Sequence, residues 1–219
     1  MANGSQFDDP AALSGVLTGV SFVGGLVTGL SLADAPFPQP GADVKDVQKF
    51  FLGSSGPERI NVTGQLLSAA SLAVFSRSVA QLAGRTGSRM LKAAAIAGGA
   101  FASTSLAASA TAAAALTTGP GRDADLAQSL HRFLFAAGGP VHGGGLALLL
   151  GALGLAGLRT GALPRPLAIA ALAAAGVNAL APLVLAVPRA ALVIPAGRFP
   201  SFVIMGIAGS RLARGPRGG

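Results

Sequence analysis

Six runs of about twenty or more apolar residues, none of them holding an Asp or Glu, constrain this chain more than any other feature. Each is long enough to cross a hydrocarbon layer about 30 Å thick as a helix rising about 1.5 Å per residue. They lie at about residues 11–33, 60–83, 93–117, 133–158, 167–187 and 193–212. A backbone in lipid must satisfy its own hydrogen bonds, so the expected fold class is all-α: a polytopic transmembrane bundle of about six helices. Only 11% of the residues are charged, where a soluble domain carries about a quarter. No polar segment between the runs is long enough to bury a core of its own, so residues 1–219 are expected to form a single integral membrane domain.

The first run invites a secretory-leader reading, because Ala33-Asp34-Ala35 resembles a small-residue cleavage site. It exceeds the apolar core of a leader, about 7–15 residues, and nothing basic precedes it, so a retained helix is expected. Between the first two runs, DAPFPQPG is extended by its prolines. In the following ADVKDVQKFFLG, Val44, Val47 and Phe51 recur at i, i+3 and i+7, with Asp43 to cap and Gly53 to end a short amphipathic surface helix. It has two placements: flat on the membrane with Phe50 or Phe51 dipping into lipid, or packed against the bundle. The third run, rich in Ala, Ser, Thr and Gly, suits close helix packing and a central position. In the last run Pro195, Arg198 and Pro200 fall in the first turns, where proline is tolerated and Arg198 can snorkel to the headgroups.

The sequence pI is about 11.7, yet the basic residues sit between and beside apolar runs, with no Trp or Tyr among them. That placement suits lipid headgroups and argues against a nucleic-acid partner. With the N-terminus inside, Arg77, Arg85, Arg89, Lys92, Arg159, Arg165, Arg211, Arg214 and Arg217 lie on the inner side. Lys45, Lys49, Arg59, Arg122, Arg132, Arg189 and Arg198 lie on the outer side, together with six of the eight acids. The inner nine crowd short loops and a tail, where such a bias acts best, so a cell (inner) membrane protein with both termini cytoplasmic is expected. The chain has no cysteine, which removes disulfides, thiolate nucleophiles and thiolate metal sites.

Gly15 and Gly19, then Gly25 and Gly29, form two small-xxx-small steps in the first run. They let another helix approach backbone to backbone, either from a second copy of the chain or from within the same bundle. Both histidines lie in HRFLFAAGGPVHGGG. Eleven residues apart, His131 and His142 are separated by about 16 Å along a helix and cannot share one metal ion. His131 is expected at the outer boundary, near water or headgroups. His142 falls inside the fourth run, where an ionisable residue is expensive and often functional. Pro140 and the surrounding glycines weaken that helix. Either it breaks, and freed backbone groups with His142 face a polar cavity, or Pro140 makes a modest kink and His142 bonds a carbonyl. Asn178 stands four residues before Pro182, so its amide is expected to satisfy the carbonyl that the proline leaves unpaired. Gln65 reads as interhelical glue or as a ligand contact. His142, Gln65 and Asn178 are therefore the candidate ligand-binding residues. Ser103 and Ser105 could face His142, but no nucleophile-elbow pattern supports them, and no residue is assigned a catalytic, metal or cofactor role.

The segments RTGALPRPLA and FPSFVIMGIAGSRLARG resemble those of small six-helix integral membrane proteins of high-GC bacteria. The resemblance covers most of the chain by helix pattern and implies a helical inner-membrane protein, with no activity and no catalytic residue to carry over. Three functional readings follow. The leading one is a non-enzymatic membrane protein, an accessory, lipid-interacting or small-ligand-binding bundle. The second is a small-molecule permease with a midplane polar cavity at a broken fourth helix, and the third is a membrane-embedded enzyme. The partners these readings name are membrane lipids, a second copy of the chain and a small-molecule ligand.

Overall fold

The computed structural model describes residues 9–187 and 191–214; Arg189 and Arg217 of the charge reading lie outside the described residues. Six of its helical stretches are long and apolar enough to cross a membrane, and there is no strand among the described residues. The protein is an all-α, multi-pass membrane bundle.

Asp9 opens the first span: its carboxylate accepts from the Ala11 N–H at 3.0 Å at the head of a 3-10 turn, Pro10–Leu13. The turn runs into α1 (Ser14–Ser31). The short α2 (Val44–Gly53) stands between the first two spans, followed by α3 (Ser55–Gly84) and α4 (Arg89–Leu116). α5 (Ala124–Ala136), a π-helical turn at Ala137–Val141 and α6 (His142–Thr160) form one helical rod, the fourth span. It stops at Gly161, whose φ of 68° suits a residue without a side chain. α7 (Arg165–Ala179) tightens into a 3-10 segment, Ala181–Leu185, and α8 (Val193–Leu212) is the sixth span.

Two helices begin earlier than their apolar runs. α3 starts at Ser55 because Pro57 falls in its first turn, where the missing N–H has no intrahelical partner to lose. α5 starts at Ala124 because Asp123 caps it, accepting from the Leu126 N–H at 2.9 Å. The 37 residues from Ala124 to Thr160 span about 55 Å, well beyond a hydrocarbon layer, so the first turns of α5 project past it.

Those projecting turns build a cap. Ala127, His131 and Leu134 form a buried stripe on α5, and Val47, Phe50 and Phe51 of α2 pack into the same cluster with Leu116 of α4. Phe50 and Phe51 meet edge-to-face at 5.1 Å, and Phe37 stands edge-on to both. Of its two placements, α2 has taken the one against the bundle: both phenylalanines are buried in protein rather than in lipid. Asp43 starts the helix through its backbone carbonyl, which accepts from Asp46 and Val47, and not through its side chain.

The main core runs through Leu72, Phe75 and Val79 of α3, Leu106 of α4, Leu146 to Leu153 of α6 and Met205 of α8. α3 and the fourth span are the central helices, with 61% of their apolar windows buried against 44% for α4. The Ala/Ser-rich α4 is thus less central than its composition suggests. It keeps a lipid-facing side, with Ile96 and Phe101 exposed. α1 is peripheral, and its outer face presents Leu17, Val20 and Val27.

The four glycines of the two small-xxx-small steps face the bundle. A Cβ on Gly25 would lie 2.8 Å from the Gly64 Cα, and one on Gly29 2.9 Å from the Pro57 carbonyl, both on α3. Gly15 and Gly19 face Met205 and Phe202 of α8, with Phe75 of α3 beside Gly15.

Candidate functional site

Pro140 has no N–H, and in a regular α-helix its ring would strike the Ala136 carbonyl. The chain answers by widening rather than breaking. The His142 N–H reaches the Ala137 and Gly139 carbonyls and passes over that of Gly138. Of the two readings of the fourth run, the helix does not break: it is a continuous rod with one π-helical turn, a geometry that occurs mostly as single-turn bulges and frequently at functional sites. The freed Gly138 carbonyl accepts from Nη2 of Arg198 on α8.

Arg198 does not snorkel. Its guanidinium lies over the Phe22 ring of α1, 5.2 Å from the centroid, and its Nε is buried without a hydrogen-bond partner. Among the described residues it makes no ion pair. A half-buried cation without a carboxylate is expensive in an apolar bundle, and one carbonyl with an aromatic face offsets only part of that.

His142 stands next to the turn, fully buried. The Ala102 carbonyl of α4 accepts from its Nδ1 at 2.9 Å, which leaves Nε2 the acceptor of a neutral ring, and Nε2 has no partner. Arg198 bonds the Gly138 carbonyl, one turn before the ring. Asn178 packs against the chain neighbours of both: a Cβ on Gly143 would lie 3.5 Å from its carbonyl, and one on Gly197 2.9 Å from its Oδ1. Its amide does not serve the carbonyl ahead of Pro182. It donates to Ala174 at 2.8 Å and to the Ser201 hydroxyl of α8 at 2.9 Å, because the chain tightens to a 3-10 segment at Pro182 and the side chain turns inward. Two irregular segments, the π turn and this 3-10 stretch, pack on each other here. His142, Asn178, Arg198 and Ser201 thus form one polar centre where the last three spans meet.

Gln65 belongs elsewhere. Its amide donates to Asn61 Oδ1 at 3.2 Å, and the Asn61 amide donates to both Glu58 carboxylate oxygens at 3.1 and 3.3 Å. This ladder climbs α3 at i, i+3 and i+7, with Gly29 of α1 against Asn61. Glu58, only 2% exposed, escapes a reading that starts the span at Ile60; its spacing to Asn61 and Gln65 was the available signal. His131 lies in the cap with its ring edge-on to Phe51, 6.3 Å between centroids, and not at the water boundary.

Reactive pairings do not form. Ser103 and Ser105 donate to the Gly99 and Ala102 carbonyls of their own helix, and neither meets His142. Among the described residues no group of three His, Cys, Asp or Glu could hold a metal ion. The arrangement offers instead a buried donor on Arg198 and a buried acceptor on His142, which suits binding. No protein-family model, no curated protein and no solved structure matches the chain.

Proposed function

We propose that this protein is a non-enzymatic membrane bundle that binds a small anionic or hydroxylated ligand at the polar centre of its last three spans. The observation that carries the reading is Arg198: a cation at the bundle's polar centre, without a carboxylate, whose Nε is unpartnered and whose Nη2 holds the Gly138 carbonyl one turn before His142. Arg198 supplies the charge and the donor, His142 Nε2 the acceptor, and Asn178 with Ser201 fixes the wall on α7 and α8. Gln65, in its own ladder, takes no part.

Native mass spectrometry on the detergent-purified protein tests this. The wild type should retain a small species that Arg198→Leu and His142→Leu both lose, with subunit number unchanged. The same spectrum in all three proteins would overturn it.

A permease reading has one observation in its favour, the packing of the π turn against the 3-10 segment, where two irregular helices share one level. It requires that Pro140→Ala, which lets the turn relax to α-helix, stop uptake of the retained species into liposomes without loss of binding. Unchanged uptake would sink it. An inner-membrane location with cytoplasmic termini belongs to the same proposal, as does kinship with small six-helix bacterial membrane proteins. Its support is the basic crowding at the end of the bundle opposite the cap.

A further inference from the structure

The end opposite the cap carries a groove of about 580 Å³ between α3 and α4. It follows from side-chain size. α3 presents Ala80 and Gly84 to it, and α4 presents Ala100, so the two helices touch without filling the space between them. Arg77 and Gln81 enter from α3 and Lys92 from α4. Ile96 and Ala100 continue the α4 wall one turn at a time, so that side runs about 12 Å from Lys92 into the apolar zone.

Two cations from different helices therefore converge on one groove that no acid lines. Arg77, Gln81 and Lys92 make no side-chain hydrogen bond or ion pair among the described residues. Snorkelling alone explains each cation singly but not their convergence on a shared hollow. Lengthwise Lys92 and Gln81 stand toward the water side, while Arg77 starts about 10 Å deeper, beside Ser76 and level with Gly99. With its guanidinium turned back toward Lys92, the deeper α4 wall is left apolar, which is the polarity of one lipid molecule. We propose that it is a binding site for an anionic phospholipid. The phosphate sits between Arg77 and Lys92, Gln81 donates to a phosphate or glycerol oxygen, and an acyl chain lies along Ile96 and Ala100. A zwitterionic lipid would bring its ammonium to the same two cations, and free phosphate would leave the apolar half unused. The site is remote from Arg198 and stands whether or not the polar centre binds a ligand.

The test is native mass spectrometry of the delipidated full chain titrated with phosphatidylglycerol or phosphatidylcholine, with inorganic phosphate as competitor. The first equivalent of phosphatidylglycerol should bind tighter than phosphatidylcholine. Removing each cation, in Arg77→Gln and Lys92→Gln, should weaken it roughly five-fold. Arg211→Gln with Arg214→Gln, a loss of two charges on the same end, should leave it unchanged. Ala100→Phe, which fills the apolar half at an exposed position and so spares the fold, should also displace the lipid. Equal binding of the two lipids, equal losses in the Arg211/Arg214 variant, retention in Ala100→Phe, or displacement by millimolar phosphate alone would each overturn the assignment.

Discussion

At the capped end, six described acids, Asp34, Asp43, Asp46, Glu58, Asp123 and Asp125, accompany five bases, Lys45, Lys49, Arg59, Arg122 and Arg132; at the open end Asp9 is the one described acid beside eight. The capped end is also tied by hydrogen bonds between distant parts of the chain. Gln48 donates to the Gly121 and Arg122 carbonyls at 3.0 Å each, and Gln128 to Ala42. The open end has only short turns, at 85–88 and 161–164, between its helices. Both ends are packed, the open one around Leu82, Leu91, Leu163 and Leu212 with a backbone bond from the Asp9 N–H to the Leu212 carbonyl. The capped end adds side-chain bonds between distant connections, while the open one carries a field of unbalanced charge. Stability should therefore reside toward the cap, and interaction with the membrane toward the opposite end.

Phe51→Ala should be the sharpest blow to that contrast, since Phe51 is fully buried among Phe37, Phe50 and His131. The expected loss is about 3–5 kcal/mol in reversible unfolding in detergent. Met90→Ala, at an exposed open-end position, should leave stability unchanged within about 0.5 kcal/mol. A loss below that margin for Phe51 would mean that the cap is an ornament on the bundle and not part of its cooperative unit.

Gly64→Ala comes next. Its Cβ would lie 2.5 Å from the Ser21 carbonyl and 2.8 Å from the Gly25 Cα, both backbone atoms, so relief requires the whole of α1 to move. We expect a loss of about 1–3 kcal/mol. Gly24→Ala, one residue from the same crossing but with nothing within 4 Å of its new Cβ, should stay within about 0.5 kcal/mol. Equal effects at the two positions would show that the α1–α3 approach is not what limits packing there.

The two ends also differed in how far they could be read in advance. The six spans, and α2 with its limits near Val44 and Gly53, were legible because apolar length and 3.6-residue periodicity are local properties. The cap was not. The pattern of α2 is the same whether Phe51 points into lipid or into α5, and only the projection of α5 past the bilayer decides between them. That projection hid in ADLAQSLHR, whose polarity reads as a connection until Asp123 is recognised as a cap and Ala127, His131 and Leu134 as one face. At the polar centre His142 and Asn178 were legible as polar residues in apolar runs. Their meeting with Arg198 was not, because it depends on a π turn that releases one particular carbonyl, Gly138, to a helix some sixty residues away.

The smallest expected effect separates stability from orientation most cleanly. Arg89 and Arg165 are the first residues of α4 and α7, where the positive end of the helix dipole opposes a cation. Replacing each by Gln should therefore raise stability slightly, by about 0.3–1 kcal/mol at low ionic strength, with the gain fading as salt screens the dipole. Residues that weaken the helices they begin are explained if they hold this end on one side of the membrane during insertion. The double variant should then melt at or above the wild type in detergent, while protease protection of a C-terminal tag in inverted vesicles becomes mixed. A double variant that unfolds earlier than wild type would show instead that these arginines bind the open end together, and the division of labour between the two ends would fall.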